Sequence, residues 1–212
     1  MYIFSRGLVR VLGLLSFVLL SVAFGQNYYA LEAQAELSSV KIETPTASGM
    51  GVALEDGATI ATCAHVVGNN NWVDIYTGGF RDKGYVLSVD TENDIAIVRM
   101  EGKIKPFAVR RSEEKIGAGT FVVAAGKPNK SSRVDMRPGT SLIYFMDNPT
   151  PDLIISSAAE HGYSGGPVMD ENGCLIGIMK SYAGFQGTTG TAVIPAWKVN
   201  ALIKRTRDNL NR

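Results

Sequence analysis

The sequence contains few cysteines and histidines and almost no net charge. Of its 212 residues, two are cysteine and two are histidine, and 21 basic side chains face 20 acidic ones. Two cysteines are too few for a disulfide scaffold, and balanced, scattered charge leaves no basic footprint for nucleic acid. No repeat or low-complexity segment occurs. A hydrophobic content of 45% instead indicates one ordinary globular domain or two small ones.

The first 25 residues have the pattern of a signal peptide. Arg6 and Arg10 precede an uncharged, largely apolar stretch over 11–25. In a helix this stretch would reach only about 22 Å, less than the about 30 Å of a bilayer core. We therefore expect residues 1–25 to be cleaved before Gln26, and the alternative is an uncleaved membrane anchor. The mature protein is expected to be exported, periplasmic or secreted, without a stable membrane span.

Short apolar runs divided by turn residues fill the chain, whose 23 glycines are scattered between them. This spacing is typical of all-β barrels or sandwiches, and Asp56-Gly57 is a strong hairpin signal. After Pro195, apolar residues follow the spacing of one helical face up to Leu210, and they predict a closing helix. Residues 26–39 are expected to be an N-terminal extension, in part helical. The predicted strands are 40–43, 51–54, 59–62, 72–76, 84–89, 95–100, 120–125, 141–145, 153–156, 168–169, 174–179 and 191–194.

A glycine-rich turn around Ser164 is the strongest chemical signal. The segment 162–167, Gly-Tyr-Ser-Gly-Gly-Pro, also matches the Gly-x-Ser-x-Gly elbow of α/β-hydrolases. In that fold the histidine follows the serine, whereas His65 and His161 both precede it here. The elbow interpretation therefore fails. A serine nucleophile would need a base from upstream in the chain.

His65 is the preferred base because it lies just past a predicted strand. His161 would have to fold back on its own loop, so we assign it to a pocket wall. Of the aspartates between His65 and Ser164, Asp94 is the best partner because it opens the apolar strand at 95–98. A structural histidine and a strand-start turn aspartate remain the alternative interpretations of these two residues.

The segments 62–65, 93–96 and 162–167, in this order, resemble the three signature segments of chymotrypsin-fold serine proteases. Together with 48–52 and 190–195, they are most similar to the HtrA/Deg-type protease domain, here without a PDZ domain. The resemblance implies two perpendicular six-stranded antiparallel β-barrels followed by the C-terminal helix. It places a trypsin-like protease domain over 40–212, with its two halves joined near 103–115.

The resemblance also implies the roles of the site residues. Ser164 would attack the peptide carbonyl, His65 would take its proton, and Asp94 would hold the imidazole. The backbone N–H groups of Gly162 and Ser164 would form the oxyanion hole. Tyr163 stands where digestive enzymes carry the aspartate that pairs with a newly cut N-terminus, so activation by such a cut is not expected.

The same alignment gives the substrate pocket as Ala158, Ala159 and Met179, an apolar set for small or aliphatic side chains. Cys63 and His65 could begin a metal site, but a zinc centre needs more ligands than the chain offers, so neither metal nor cofactor is expected. Cys63 and Cys174 are expected to be free thiols, with a disulfide as the alternative.

The sequence thus predicts a secreted or periplasmic serine endopeptidase that acts through an acyl-enzyme on unfolded or flexible protein segments. Its partners would be protein or peptide substrates, and its oligomeric state is not predicted. The alternative function is a catalytically inactive protease-fold protein that serves in binding or as a scaffold.

Overall fold

Two closed β-barrels form most of the computed structural model, which describes residues 27–106, 115–127, 133–145, 152–185 and 188–211. Within these residues, three helical stretches accompany the barrels: α1 over 27–38, α2 over Ala64–Val67 and α3 over Ala196–Leu210. Each barrel has six strands, and every strand pair is antiparallel. The predicted fold class is therefore confirmed.

The first barrel follows the predicted runs closely, in the spatial order β1-β2-β3-β6-β5-β4. Its β2–β3 hairpin is the predicted Asp-Gly turn: Asp56 Oδ1 accepts the N–H of Ala58 at 3.0 Å, and Gly57 takes a φ of 69°. Its strands are β1 (Ser39–Glu43), β2 (Ser48–Ala53), β3 (Thr59–Cys63), β4 (Trp72–Thr77), β5 (Phe80–Asp90) and β6 (Ile95–Met100).

The second barrel has the order β10-β11-β12-β9-β8-β7. Its strands β8 and β11 are longer than predicted. Arg137 interrupts the apolar pattern of β8 but pairs with Ala124 of β7, and β11 continues past Lys180, which lies at a shift in the register of its pairing with β12. Its strands are β7 (Phe121–Gly126), β8 (Asp135–Phe145), β9 (Asp152–Ile155), β10 (Pro167–Met169), β11 (Leu175–Phe185) and β12 (Thr188–Pro195).

Helix α1 packs on the second barrel, burying Leu31 and Ala35 in the core. The hydroxyl of Tyr28 donates to the carbonyl of Met136 on β8 at 3.2 Å, whereas Tyr29 is 72% exposed. The extension is thus a docked helix rather than a loose tail.

Helix α3 buries the predicted face, Val199, Leu202, Ile203 and Thr206, but Leu210 is exposed. Leu210 lines a pocket together with Ile203 and Thr206, so it lies on the predicted face although it is 66% exposed. Over the described ranges, no helix is long and apolar enough to cross a membrane.

The first barrel ends at Met100 and the second begins at Phe121, and the join of the two halves was predicted between them, near 103–115. That boundary stays a prediction. Within that predicted join, 103–115, residues 107–114 lie outside the described part of the chain, as does the predicted signal peptide. Cys63 and Cys174 are not joined in a disulfide; Cys63 is buried and Cys174 is partly exposed.

Candidate active site

His65 projects from the one-turn helix α2 at the end of β3. Its neighbours Ala64, Val66 and Val67 are buried, but the His65 side chain is 49% exposed. The apolar residues of the turn therefore fix the backbone, and the imidazole faces solvent. Such a histidine is positioned by the core without belonging to it.

Asp94 holds this imidazole from the β5–β6 connection. Its Oδ2 lies 2.8 Å from His65 Nδ1, and its Oδ1 accepts the His65 backbone N–H at 2.9 Å. The Asp94 carbonyl also accepts the N–H of Ala64 at 3.0 Å. A carboxylate facing Nδ1 favours the tautomer that carries its proton there, so Nε2 is left with a free lone pair.

The backbone of Asp94 is unusual as well. With a φ of 59°, it is the single non-glycine residue of the described chain in the left-handed region. Aspartate tolerates this region better than most residues, and strain of this kind is found at sites where the surrounding structure requires it. Here the conformation presents both carboxylate oxygens to His65.

Backbone hydrogen bonds attach Ser164 and Gly165 to both barrels. Met50 on β2 donates its N–H to the Ser164 carbonyl at 2.7 Å, and Gly165 donates to the Met179 carbonyl on β11 at 2.7 Å. Gly165 has a φ of 85°, and a Cβ there would lie 2.0 Å from the Met50 carbonyl oxygen. Only glycine fits, which explains this part of the motif.

The segments that carry His65 and Ser164 meet at Gly49. A Cβ on Gly49 would lie 2.6 Å from a methyl group of Val66, the residue after His65, and 2.8 Å from the Ser164 carbonyl oxygen. The Ser164 hydroxyl itself donates to the carbonyl of Lys180 at 3.2 Å. Within the described residues, no hydrogen bond joins this hydroxyl to His65, so the fold brings the segments together while the hydroxyl faces β11.

Two N–H groups at the turn before Ser164 have no acceptor among the described residues. Tyr163 donates its N–H to the Glu160 carbonyl at 3.2 Å, and Gly162 has a φ of 99°, as the third position of a type II turn requires. Gly162 and Ser164 have no acceptor for their own N–H groups among the residues the structure describes. These are the predicted oxyanion donors, and their role stays a prediction.

The predicted pocket residues differ in exposure. Ala158 is exposed, Ala159 packs partly buried against the apolar core of the second barrel, and Met179 is a fully enclosed member of that core. A Cβ on Gly166 would lie 2.9 Å from Met179 Cε, so this side chain runs beneath the serine turn. The pocket assignment stays a prediction.

A buried cluster of charges, which the sequence analysis missed, lies behind Ser164. The Asp152 carboxylate accepts hydrogen bonds from Lys198 Nζ at 2.7 Å and from Lys180 Nζ at 2.8 Å. The side chains of Asp152 and Lys198 are almost fully buried. Lys180 also supplies the carbonyl that holds the Ser164 hydroxyl. The available sequence signal was a charged residue in each of two apolar strands, Asp152 in β9 and Lys180 in β11. No sequence pattern indicates that these two residues pair.

One group of side chains has the composition of a metal site: the ligand atoms of Cys63, His65 and Asp94 lie within 4.8 Å of one another. The Cys63 thiol, however, donates to the Met179 carbonyl at 3.1 Å, and burial raises its pKa well above the usual value. A protonated, buried thiol does not fit a metal centre, which requires the thiolate. The His65–Asp94 pair is therefore interpreted as acid–base machinery.

Two antiparallel barrels, one with a paired histidine and aspartate and the other with a glycine-flanked serine, define the chymotrypsin-like class of serine peptidases. Residues 49–178 match the family model described as a trypsin-like peptidase domain, and the chain belongs to that family. The predicted resemblance to the trypsin-like serine proteases is thus confirmed.

Its relatives include serine protease HTRA1A of Danio rerio, 31% identical over 186 residues, and HTRA1 of Xenopus laevis, 32% identical over 150 residues. These alignments cover 81% and 65% of this chain but only 37% and 32% of those proteins. The chain therefore spans about a third of their length.

Among solved structures, the active form of the Rv3671c protease from M. tuberculosis is similar, with a TM-score of 0.71 and 27% identity. The alignment covers 82% of each chain. The inactive form of the same protease matches equally well, with a TM-score of 0.71 over 83% of this chain and 92% of that one.

Proposed function

We propose that the protein is an exported serine endopeptidase that cuts unfolded or flexible segments through a His65–Asp94–Ser164 triad. The observation that carries this proposal is the two-point contact of the Asp94 carboxylate with the backbone and the imidazole of His65. An exposed histidine held in this way has its Nε2 directed outward, as a general base requires. A purely structural histidine would not require an outward-facing Nε2.

In the proposed reaction, the Ser164 hydroxyl leaves the Lys180 carbonyl and donates to His65 Nε2. His65 takes the proton as Ser164 Oγ attacks the scissile carbonyl carbon, and Asp94 stabilises the imidazolium that forms. The tetrahedral adduct collapses when the imidazolium protonates the leaving amine. Water then repeats the sequence on the acyl-enzyme, which releases the second product and restores the hydroxyl.

The N–H groups of Gly162 and Ser164 are proposed to bind the oxyanion. Each such donor is worth about 3 kcal/mol in the transition state. Both residues are partly exposed, and neither N–H has an acceptor among the described residues, so both donors are available to a substrate. A carbonyl oxygen at this turn would supply the missing partner.

The substrate is proposed to be an extended protein segment with a small or aliphatic side chain at the cut. Ala158, which has no charge, stands where a trypsin-like pocket would carry a carboxylate, and Ala159 and Met179 complete the proposed apolar pocket. A segment must be unfolded or flexible to lie extended across the two barrels. Casein and a substrate library test both the activity and this preference.

We also propose that residues 1–25 direct export and are removed before Gln26. Helix α1, whose described part covers 27–38 and packs on the second barrel, would then lie near the start of the mature chain. Mass spectrometry of the N-terminus of exported protein tests this. A start at Gln26 supports cleavage, and an intact N-terminus in the membrane fraction supports the anchor instead.

Fluorophosphonate labelling tests the proposed nucleophile. We expect one label, on Ser164, and no label after Ser164→Ala or His65→Ala. The control is Asp74→Asn, which changes a residue that pairs with Arg81 away from the site and should still be labelled. A folded wild-type protein that never reacts, or a label on another residue, would contradict the proposal.

A further inference from the structure

A buried tyrosine stands beside the candidate nucleophile. Tyr163 has no exposed surface, and its ring lies against β7 where a Cβ on Gly126 would come within 1.9 Å of it. Its hydroxyl donates to the carboxylate of Asp135 at the start of β8. The residue before Ser164 is therefore fixed to the barrel at both its ring and its hydroxyl.

Arg137, two residues further along β8, holds the other side of the same turn. Its Nε donates to Asp135 at 2.9 Å, and one terminal nitrogen donates to the Ala158 carbonyl at 3.0 Å. The other terminal nitrogen donates to the Glu160 carboxylate. The guanidinium carbon also lies 5.2 Å from the centre of the Tyr163 ring, within the range of a cation–π contact.

Arg137 therefore contacts the chain before and after Gly162. Before Gly162, Arg137 donates hydrogen bonds to the Ala158 carbonyl and the Glu160 carboxylate. After Gly162, it contacts the Tyr163 ring directly and the Tyr163 hydroxyl through Asp135. This matters because glycine adopts many backbone conformations, so Gly162 does not by itself fix the direction of the neighbouring N–H groups. The side-chain contacts supply the restraint that the glycine lacks.

The charge state of Asp135 agrees with this arrangement. Burial alone would raise its pKa, but hydrogen bonds from Tyr163 and Arg137 outweigh that effect and lower it. The carboxylate therefore stays ionised at neutral pH. An ionised acceptor strengthens the hydrogen bonds of both donors.

We propose that Arg137, with Asp135, Tyr163 and Glu160, forms a positioning network that aims the Gly162 and Ser164 N–H groups at the oxyanion. The inference rests on the proposed function and adds residues that touch neither substrate nor the reacting atoms. All three nitrogens of the Arg137 guanidinium are engaged within the protein. A role in holding the turn therefore fits Arg137 better than one in binding substrate.

The test compares Tyr163→Phe and Arg137→Met with matched controls in the first barrel. Tyr85→Phe removes a tyrosine hydroxyl that donates to Glu101, and Arg99→Met removes an arginine that pairs with Asp56. For each variant, kcat and KM are measured on one peptide substrate. The inhibition constant of the matching peptide aldehyde, whose adduct places an oxyanion at the turn, is measured as well.

Misplaced donors weaken transition-state binding and leave ground-state binding intact. We expect kcat to fall about 10- to 100-fold in both test variants, with KM within about two-fold of wild type. The aldehyde inhibition constant should rise by the same factor as kcat falls. Arg137→Lys, which keeps the charge but not the fork of donors, should restore only part of the rate. The two controls should match wild type.

Several results would overturn the network. One is an unchanged kcat in a folded Arg137→Met protein, and another is a rise in KM alone, which would indicate a pocket role. If Arg137→Met does not fold, Tyr163→Phe decides, because it keeps the buried ring and removes only the hydroxyl. An active wild type with unaffected variants contradicts this inference alone, whereas a folded wild type without any hydrolysis contradicts the proposed function as well.

Discussion

Replacing Asp94 by asparagine should remove most activity while leaving the fold in place. The asparagine Oδ1 can still accept the His65 backbone N–H, as the aspartate does now at 2.9 Å. Its amide nitrogen then takes the position of the oxygen that lies 2.8 Å from Nδ1. That nitrogen can only donate, so His65 must place its proton on Nε2 and present no lone pair to Ser164.

The size of the effect follows from this change of tautomer. Loss of one charge-assisted hydrogen bond, about 1.5–3 kcal/mol, would slow the reaction only about 10- to 100-fold. A base locked in the wrong tautomer loses the proton-transfer step itself, for which about 10⁴-fold in kcat is expected. Stability should change little, because asparagine also tolerates the positive φ that Asp94 adopts.

The assay is kcat on a peptide substrate, with urea unfolding of the same preparation to establish that the variant is folded. Asp74→Asn is the matched control, because Asp74 pairs with Arg81 on the surface of the first barrel and should retain full activity. A folded Asp94→Asn protein with kcat within ten-fold of wild type would contradict the proposal that Asp94 sets the tautomer of His65.

Three further predictions concern stability. Gly165→Ala should lower the free energy of unfolding by about 3 kcal/mol and abolish hydrolysis, because a Cβ would lie 2.0 Å from the Met50 carbonyl oxygen in a left-handed backbone; an unchanged urea midpoint would contradict this. Asp152→Ala removes the carboxylate that pairs with the buried Lys198 ammonium and the partly buried Lys180 ammonium. It should cost about 3–5 kcal/mol in the same measurement, so a loss below 1 kcal/mol would count against the buried cluster. Burial would raise the pKa of Asp56, but hydrogen bonds from the backbone and from Arg99 lower it to about 2. Its contribution is therefore present above about pH 4 and lost as the pH falls through 2, so the stability deficit of Asp56→Asn should shrink over that interval rather than grow.

The strands could be predicted because each apolar run ends at a turn residue, as at Asp56-Gly57. Sequence reasoning failed where a charged residue continues a strand. Arg137 and Lys180 interrupt an apolar pattern in the sequence. Their partners Glu160 and Asp152 belong to other segments, which come close only in the closed barrel. No local pattern encodes such a pairing.

The candidate site was predicted by a similar mixture of signals. Asp94 was chosen because it opens an apolar strand, but its left-handed backbone and its second contact, with the His65 N–H, are tertiary features. The glycines around Ser164 marked a tight turn. That Gly165 must avoid the Met50 carbonyl, and that the buried Tyr163 anchors the turn, became evident only from the packed barrels.

The proposal that Ser164 forms an acyl-enzyme is tested most directly by mass spectrometry of the mature protein quenched during turnover of an activated ester. We expect one acyl group per molecule, located on the peptide that contains Ser164. In His65→Ala we expect no acyl group. Hydrolysis that proceeds with no acyl group on the protein, or with the acyl group on a different side chain, would contradict it.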